Sequence, residues 1–280
     1  MMMKKYLIMV GKILLYMVIA FAVTWEVIHY SFTVLMKTRV LGPVVQNYGF
    51  IVLIAAFILI TVIYTVVFKL FKQSLLKTCG FGPINWLNIL LICIIGLFMA
   101  VFTISFIAVS SVGRTFPGLS KYVQELVSMP YSQWIIFVQM VVTVIFEEII
   151  FRGVIFNELR NNMSMTFAVI IAAAIYGSVN VVLNADWAVG VYAIFAGITY
   201  TLVYVWTKSL WGSILVQIVS FEAIVVPLKS GLQPVVTRSG DLILALYTVV
   251  GVIGMAAGYY LLWKRTVART LKAGPGIPVK

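Results

Sequence analysis

The sequence predicts an all-α fold, a polytopic bundle of about eight transmembrane helices. Three observations predict it. The chain of 280 residues is 63% hydrophobic and only 10% charged, whereas a soluble domain carries about 25% charged residues. Apolar runs of about 20 residues, the length that crosses a bilayer, recur from end to end. The basic residues gather at the ends of those runs, as membrane topology requires.

In chain order the runs fall at about 13–35, 48–70, 86–110, 133–157, 164–183, 187–207, 209–228 and 241–263. Lys4 and Lys5 precede the first, Lys12 interrupts it, and no small-residue cleavage site follows. It reads as a retained span rather than a signal peptide. Within it, Glu26 and His29 are three apart and share a helix face. They form either a proton-relay pair or an interfacial pair flanked by Trp25 and Tyr30. Polar separators stand at 37–43, 69–83, 110–132, 161–164 and 229–241. The fifth, sixth and seventh runs are parted only by Asn184-Ala185-Asp186 and Thr207-Lys208-Ser209, so seven spans fit as well.

In the separator 110–132, Leu119, Tyr122, Val123, Leu126 and Val127 recur at helical spacing. The segment is either a short interfacial helix or a partly ordered connector. Gly251, Gly254 and Gly258 place small residues on one face of the last run, for packing within the chain or for a homodimer. Tyr192, Tyr200, Tyr204 and Trp206 read as packing and belt residues. Residues 264–280 form a basic tail suited to solvent and anionic lipid.

The formal charge is +12. Its dispersal over span ends excludes nucleic acid as the partner and fits a positive-inside topology. With both termini cytoplasmic, the outer segments hold only Lys37, Arg39, Arg114, Lys121, Lys229 and Arg238, and the inner segments hold the larger share. Cys79 and Cys93 lack metal-ligand spacing and do not suggest a disulfide framework; Cys93, inside an apolar run, reads as a buried thiol.

Charge is concentrated inside a span only at Phe146-Glu147-Glu148-Ile149-Ile150-Phe151-Arg152-Gly153. Ionisable groups at membrane depth need partners or a purpose. Glu148 and Arg152 are four apart and share a helix face, while Glu147 points about 100° away, on the face of Phe151. Two readings follow from the residues alone. Either a Glu148–Arg152 pair braces the helix end, or a desolvated carboxylate with a raised pKa activates water.

Glu-Glu-x-x-x-Arg followed by Gly, in a late span of a multi-span protein, resembles the first motif of the CAAX protease and bacteriocin-processing (Abi) family. The likeness runs over roughly 134–228. It implies Glu147 as the base that activates water, with Glu148 and Arg152 supporting it. The family's two later motifs supply histidines and an asparagine for water activation and oxyanion stabilisation. Here Asn180 stands where the first His is expected, after Tyr176. Gln217 stands in the second His place and Phe221 in the Asn place. The only His in the chain is His29.

These departures bear on chemistry. An amide does not relay a proton near neutral pH as imidazole does, although it can donate a hydrogen bond to an oxyanion. Phe221 donates nothing. Two carboxylates without His are a weak set for zinc, so no metal or cofactor is expected. The chain therefore divides into 1–132, spans of unassigned role; 133–228, the CAAX-protease-like core; and 229–280, the last span and basic tail. The resulting expectation is a catalytically degenerate member of the family in a bacterial cytoplasmic membrane. It would bind other integral membrane proteins, as the resemblance implies for members that serve in bacteriocin immunity or modulate sensor kinases and cell-envelope enzymes. Two rivals remain. One is an active intramembrane glutamate endopeptidase. The other is a proton-coupled transporter or channel using Glu26, Glu147, Glu148 and Glu222.

Overall fold

The computed structural model describes residues 2–128, 131–232, 236 and 238–272. Its long elements are α1 (Met2–Thr33), α3 (Phe50–Leu70), α5 (Trp86–Ala108), α8 (Gln133–Glu148), α10 (Met165–Asn184), α11 (Trp187–Thr207), α12 (Leu210–Pro227) and α13 (Asp241–Lys272). Shorter helices are α2 (Gly42–Asn47), α4 (Leu75–Cys79), α6 (Ser110–Thr115), α7 (Pro117–Ser128) and α9 (Asn157–Arg160). Among the described residues there is no strand. Among the described residues eight helices are long and apolar enough to cross a membrane. The first helix starts at Met2, earlier than the apolar run alone suggests, because Lys4 and Lys5 lengthen it at its N-terminal end.

The two short breaks are true reversals, and this decides for eight spans over seven. Ala185 adopts φ 51°. Asp186 then caps α11, its carboxylate accepting from the N–H groups of Ala188 (2.8 Å) and Val189 (3.1 Å). Lys208 is left-handed with φ 54°. The Ser209 hydroxyl donates to the Gly82 carbonyl as the next helix begins. At the first turn the Asp186 side chain satisfies the freed N–H groups of α11, and at the second the left-handed Lys208 closes α11 by donating its N–H to the Tyr204 carbonyl.

The chain forms two compact units. Met1–Phe81 with Trp134–Ala172 make the first, and Gly82–Gln133 with Ala173–Lys280 the second. In the first, α1 packs on α3. The Tyr64 hydroxyl donates to the Tyr16 carbonyl (2.6 Å), and Tyr16 stacks on Phe68. Phe57 of α3 stacks on Phe146 of α8 with ring centroids 4.0 Å apart.

In the second unit α5 is the hub, in contact with α7, α12 and α13. Ile92, Ile95 and Met99 of α5 join Ala196, Tyr200 and Val203 of α11, Val216 of α12, and Met255 and Leu262 of α13 in one core. The Thr103 and Tyr192 hydroxyls are hydrogen-bonded at 2.9 Å. Trp206 packs edge-on against Tyr259. Tyr200 and Tyr204 are buried.

The glycine face of α13 is taken up within the chain. A Cβ on Gly251 would stand 2.7 Å from the Phe102 nitrogen, one on Gly258 would meet Ile95, and one on Gly254 would overlap the Phe98 ring. The partners descend α5 as the glycines ascend α13, so the two helices are antiparallel. Small residues allow this approach, which compensates in lipid for the absent hydrophobic force between helices. The homodimer reading of this face is thereby replaced by intrachain packing.

Other expectations are refined. Residues 110–132 carry two helices, α6 and α7. On α7, Leu119 is buried against Ala188 and Val189, and Lys121 pairs with Glu125 on the exposed side. Residues 264–272 continue α13, so the basic tail begins as helix; 273–280 lie outside the described residues. Cys93 is half-buried, whereas Cys79 is fully buried. Burial pushes the Cys79 thiol up to about 12 from 9.0. A raised thiol pKa favours the neutral form in the fold. The contribution is complete below pH 9.0, the unfolded value, and is lost as pH rises through about 12.

Three measurements check this packing. Gly11 has nothing within 4 Å of an added Cβ. Gly11→Ala is expected to stabilise the protein slightly, by about 0.5–1 kcal/mol. Gly251→Ala is expected to lower the thermal midpoint in detergent, with a cost of about 1–3 kcal/mol for overpacking. Cys79→Ser should remove part of the stability loss seen on titrating from pH 9 toward 12, read as the difference in unfolding midpoint between the two proteins.

Candidate polar site in the fourth span

The fourth span changes geometry where its charge lies. Gln133–Glu148 is α-helical, Ile149–Phe156 is π-helical, and α9 resumes the α-helix. The segment 149–156 is buried throughout. A π-helical turn is rare and places one extra residue in each loop of the hydrogen-bond ladder, so neighbouring groups must hold it.

Glu148 and Arg152 stand on that junction. The Arg152 Nη1 donates to Glu148 Oε1 at 2.7 Å. Their side chains are 0% and 2% exposed. At this burial a lone carboxylate or guanidinium would be costly, so the charges hold each other. Glu147, the adjacent carboxylate, is half-buried. The sequence expectation that Glu148 and Arg152 share a face is met in the geometry.

Behind this pair the helix is fastened within the first unit. The Asn157 Nδ2 donates to the carbonyls of Thr78 (2.8 Å) and Gly153 (3.0 Å). Lys12 reaches Glu158 at 3.2 Å, and the Asn162 amide donates to the same carboxylate. Lys12 also lies over the Phe71 ring. Sequence reasoning missed Asn157 and Glu158. A signal was present: Asn157 and Glu158 follow Phe156 directly at the end of an apolar run, where polar groups next to the membrane take partners.

The remaining expected positions lie in the second unit. Asn180 is half-buried on α10 and its Nδ2 donates to the Tyr176 carbonyl at 3.0 Å, so this amide bonds back to its own helix. Gln217 is buried on α12, together with Ser213 and Ser220, which donate to the carbonyls of Leu210 and Gln217. These three, at i, i+4 and i+7, form a polar stripe along one helix face. Phe221 is half-buried on the same helix. Glu222, its neighbour, buries Oε1 with no hydrogen-bond partner among the described residues.

Glu26 and His29 are exposed on α1 and form no ion pair among the described residues. His29 stacks on Trp25 instead. Trp25 is the aromatic neighbour that the interfacial reading of this pair names. Among the described residues no three His, Cys, Asp or Glu side chains gather in a metal-binding group.

The buried pair yields a direct test. Arg152→Ala leaves Glu148 in a sealed site without its cation and is expected to cost about 3–5 kcal/mol. Replacing both residues, as Glu148→Gln with Arg152→Met, is expected to recover most of that loss. Thermal unfolding of the three purified proteins in one detergent measures it.

Comparison with known proteins assigns this region. Residues 130–220 match the family described as type II CAAX prenyl endopeptidase Rce1-like. No curated protein and no solved structure matches the chain. The matched stretch contains Glu147, Glu148, Arg152, Asn180 and Gln217 and ends one residue before Phe221. Over residues 130–220 the chain is therefore similar to the Rce1-like family, in a setting of eight helices, among the described residues, able to span a membrane.

Proposed function

We propose that the protein is a catalytically degenerate CAAX-protease-like membrane protein. It keeps the glutamate motif as a polar anchor and acts by binding other integral membrane proteins. The observation that carries this reading is the residue set itself. Asn180 and Gln217 occupy the places where the family pattern has histidines, and Phe221 the place of its asparagine. The chain's one histidine is His29. Without imidazole near the glutamates, proton transfer to a leaving group lacks its usual carrier. Loss of one member of a cooperating catalytic set already costs orders of magnitude.

Two features of the geometry support the anchor role. Glu148 is sealed and bonded to Arg152 at 2.7 Å, the arrangement of a structural ion pair. The Asn180 amide bonds the backbone of its own helix. A second reading, an intramembrane endopeptidase using Glu147, is favoured by one observation. Glu147 is half-buried while Glu148 is closed off, so of the two carboxylates Glu147 keeps more exposed surface.

Cleavage of a prenylated CAAX peptide in proteoliposomes separates the two readings. The wild-type protein is expected to release no product above empty vesicles. The Glu147→Ala protein is expected to behave identically and to retain membrane partners crosslinked in native membranes. Product formed by the wild type and lost in Glu147→Ala would establish the endopeptidase and sink the degenerate reading.

A further inference from the structure

The spans before the motif have no role in the sequence reading. Their contacts supply one. The fourth span is fixed on both sides of its π-helical segment. Before it, Phe146 stacks on Phe57. After it, Asn157 bonds the Thr78 carbonyl, and Glu158 pairs with Lys12. In the middle, Gly153 lies against Cys79 so closely that a Cβ at 153 would overlap the sulfur. The turn bearing Cys79 ends on Gly80, left-handed at φ 70°, which lets the chain double back after touching the helix.

This arrangement matters because π-helical turns are disfavoured. Left to itself, the segment 149–156 would relax to the α-helix. Such a change of register turns whatever precedes it by about 100° per residue relative to whatever follows. Glu147 and Glu148 precede it, and the anchored residues Asn157 and Glu158 follow. The direction in which the glutamates point therefore depends on the segment keeping its π register. Asn157 acts on that register directly. One amide group binds both the turn, through Thr78, and the π-helical ladder, through the Gly153 carbonyl.

We propose that Asn157 is a positioning residue for the glutamate motif. Together with the contact of Gly153 on Cys79, it holds residues 149–156 in the π register that sets where Glu147 and Glu148 point and keeps Glu148 buried. The proposal rests on the reading of Glu147, Glu148 and Arg152 as the protein's working polar site. It assigns the α4 turn and the first span to holding that site in place.

Dicyclohexylcarbodiimide, a bilayer-soluble reagent for protonated carboxyl groups, tests this on the full-length protein in vesicles. Labelling of the peptide that carries Glu147 and Glu148 is read by mass spectrometry, at a temperature where circular dichroism shows every variant folded. Asn157→Leu removes both hydrogen bonds and is expected to raise labelling of Glu148 about tenfold. Gly251→Ala, which strains the second unit, is the control for general loss of stability and should leave labelling at the wild-type level.

Gly153→Ala should raise labelling as Asn157→Leu does. Adding Cys79→Gly should return it to wild type, since the added Cβ would then find 3.6 Å to the Cα of residue 79. Should Asn157→Leu not fold, this pair carries the test alone. Wild-type labelling in Asn157→Leu or in Gly153→Ala, or equal labelling in Gly251→Ala, would overturn the proposal. Peptide cleavage dependent on Glu147 would overturn the degenerate reading while leaving the labelling result standing.

Discussion

Glu148 and Arg152 bury opposite charges in a span that offers them no water. Each makes the other tolerable, and the need to keep them in register constrains what lies around them. A helix can place residues four apart on one face without help. Keeping that face closed at 0% and 2% side-chain exposure requires that the surrounding backbone be packed on all sides. The buried run from Ile149 to Phe156, the missing side chain at Gly153 and the doubled hydrogen bond of Asn157 are all consequences of that demand.

The same economy appears elsewhere in the fold. Where helices approach closely, glycine permits it, as α13 shows against Ile95, Phe98 and Phe102 of α5. Where hydroxyls are buried at membrane depth, they bond a carbonyl one turn back or a partner on the next helix. Thr103 does both, to Met99 and Tyr192, and Ser105 is met by Thr248. Apolar side chains that no neighbour covers face outward, and exposed tryptophans stand near helix ends at Trp86, Trp134, Trp187 and Trp211. That distribution suits a bilayer with polar boundaries.

For function, the decisive contrast is between what the motif retains and what the following spans lack. An ion pair sealed from water serves structure as readily as chemistry. An amide at Asn180 or Gln217 can satisfy a buried acceptor but cannot carry a proton between substrate and water. The match over 130–220 says what this stretch is similar to.

The eight spans could be read from the sequence because hydrocarbon imposes one rule, about 20 apolar residues per crossing, on every segment alike. The motif could be read for a related reason: carboxylates and a guanidinium in an apolar run are conspicuous wherever they occur. The pairing of Glu148 with Arg152 followed from helical periodicity alone. The reversals at Asp186 and Lys208 were ambiguous, since a three-residue turn leaves almost no mark in composition. The tertiary structure decided what local pattern cannot carry. It turned the glycine face of α13 toward α5 and bound Asn157 to the Thr78 carbonyl across 79 positions of chain. It also made residues 149–156 π-helical. No residue preference encodes that geometry, because the contacts that hold it come from parts of the chain distant in sequence.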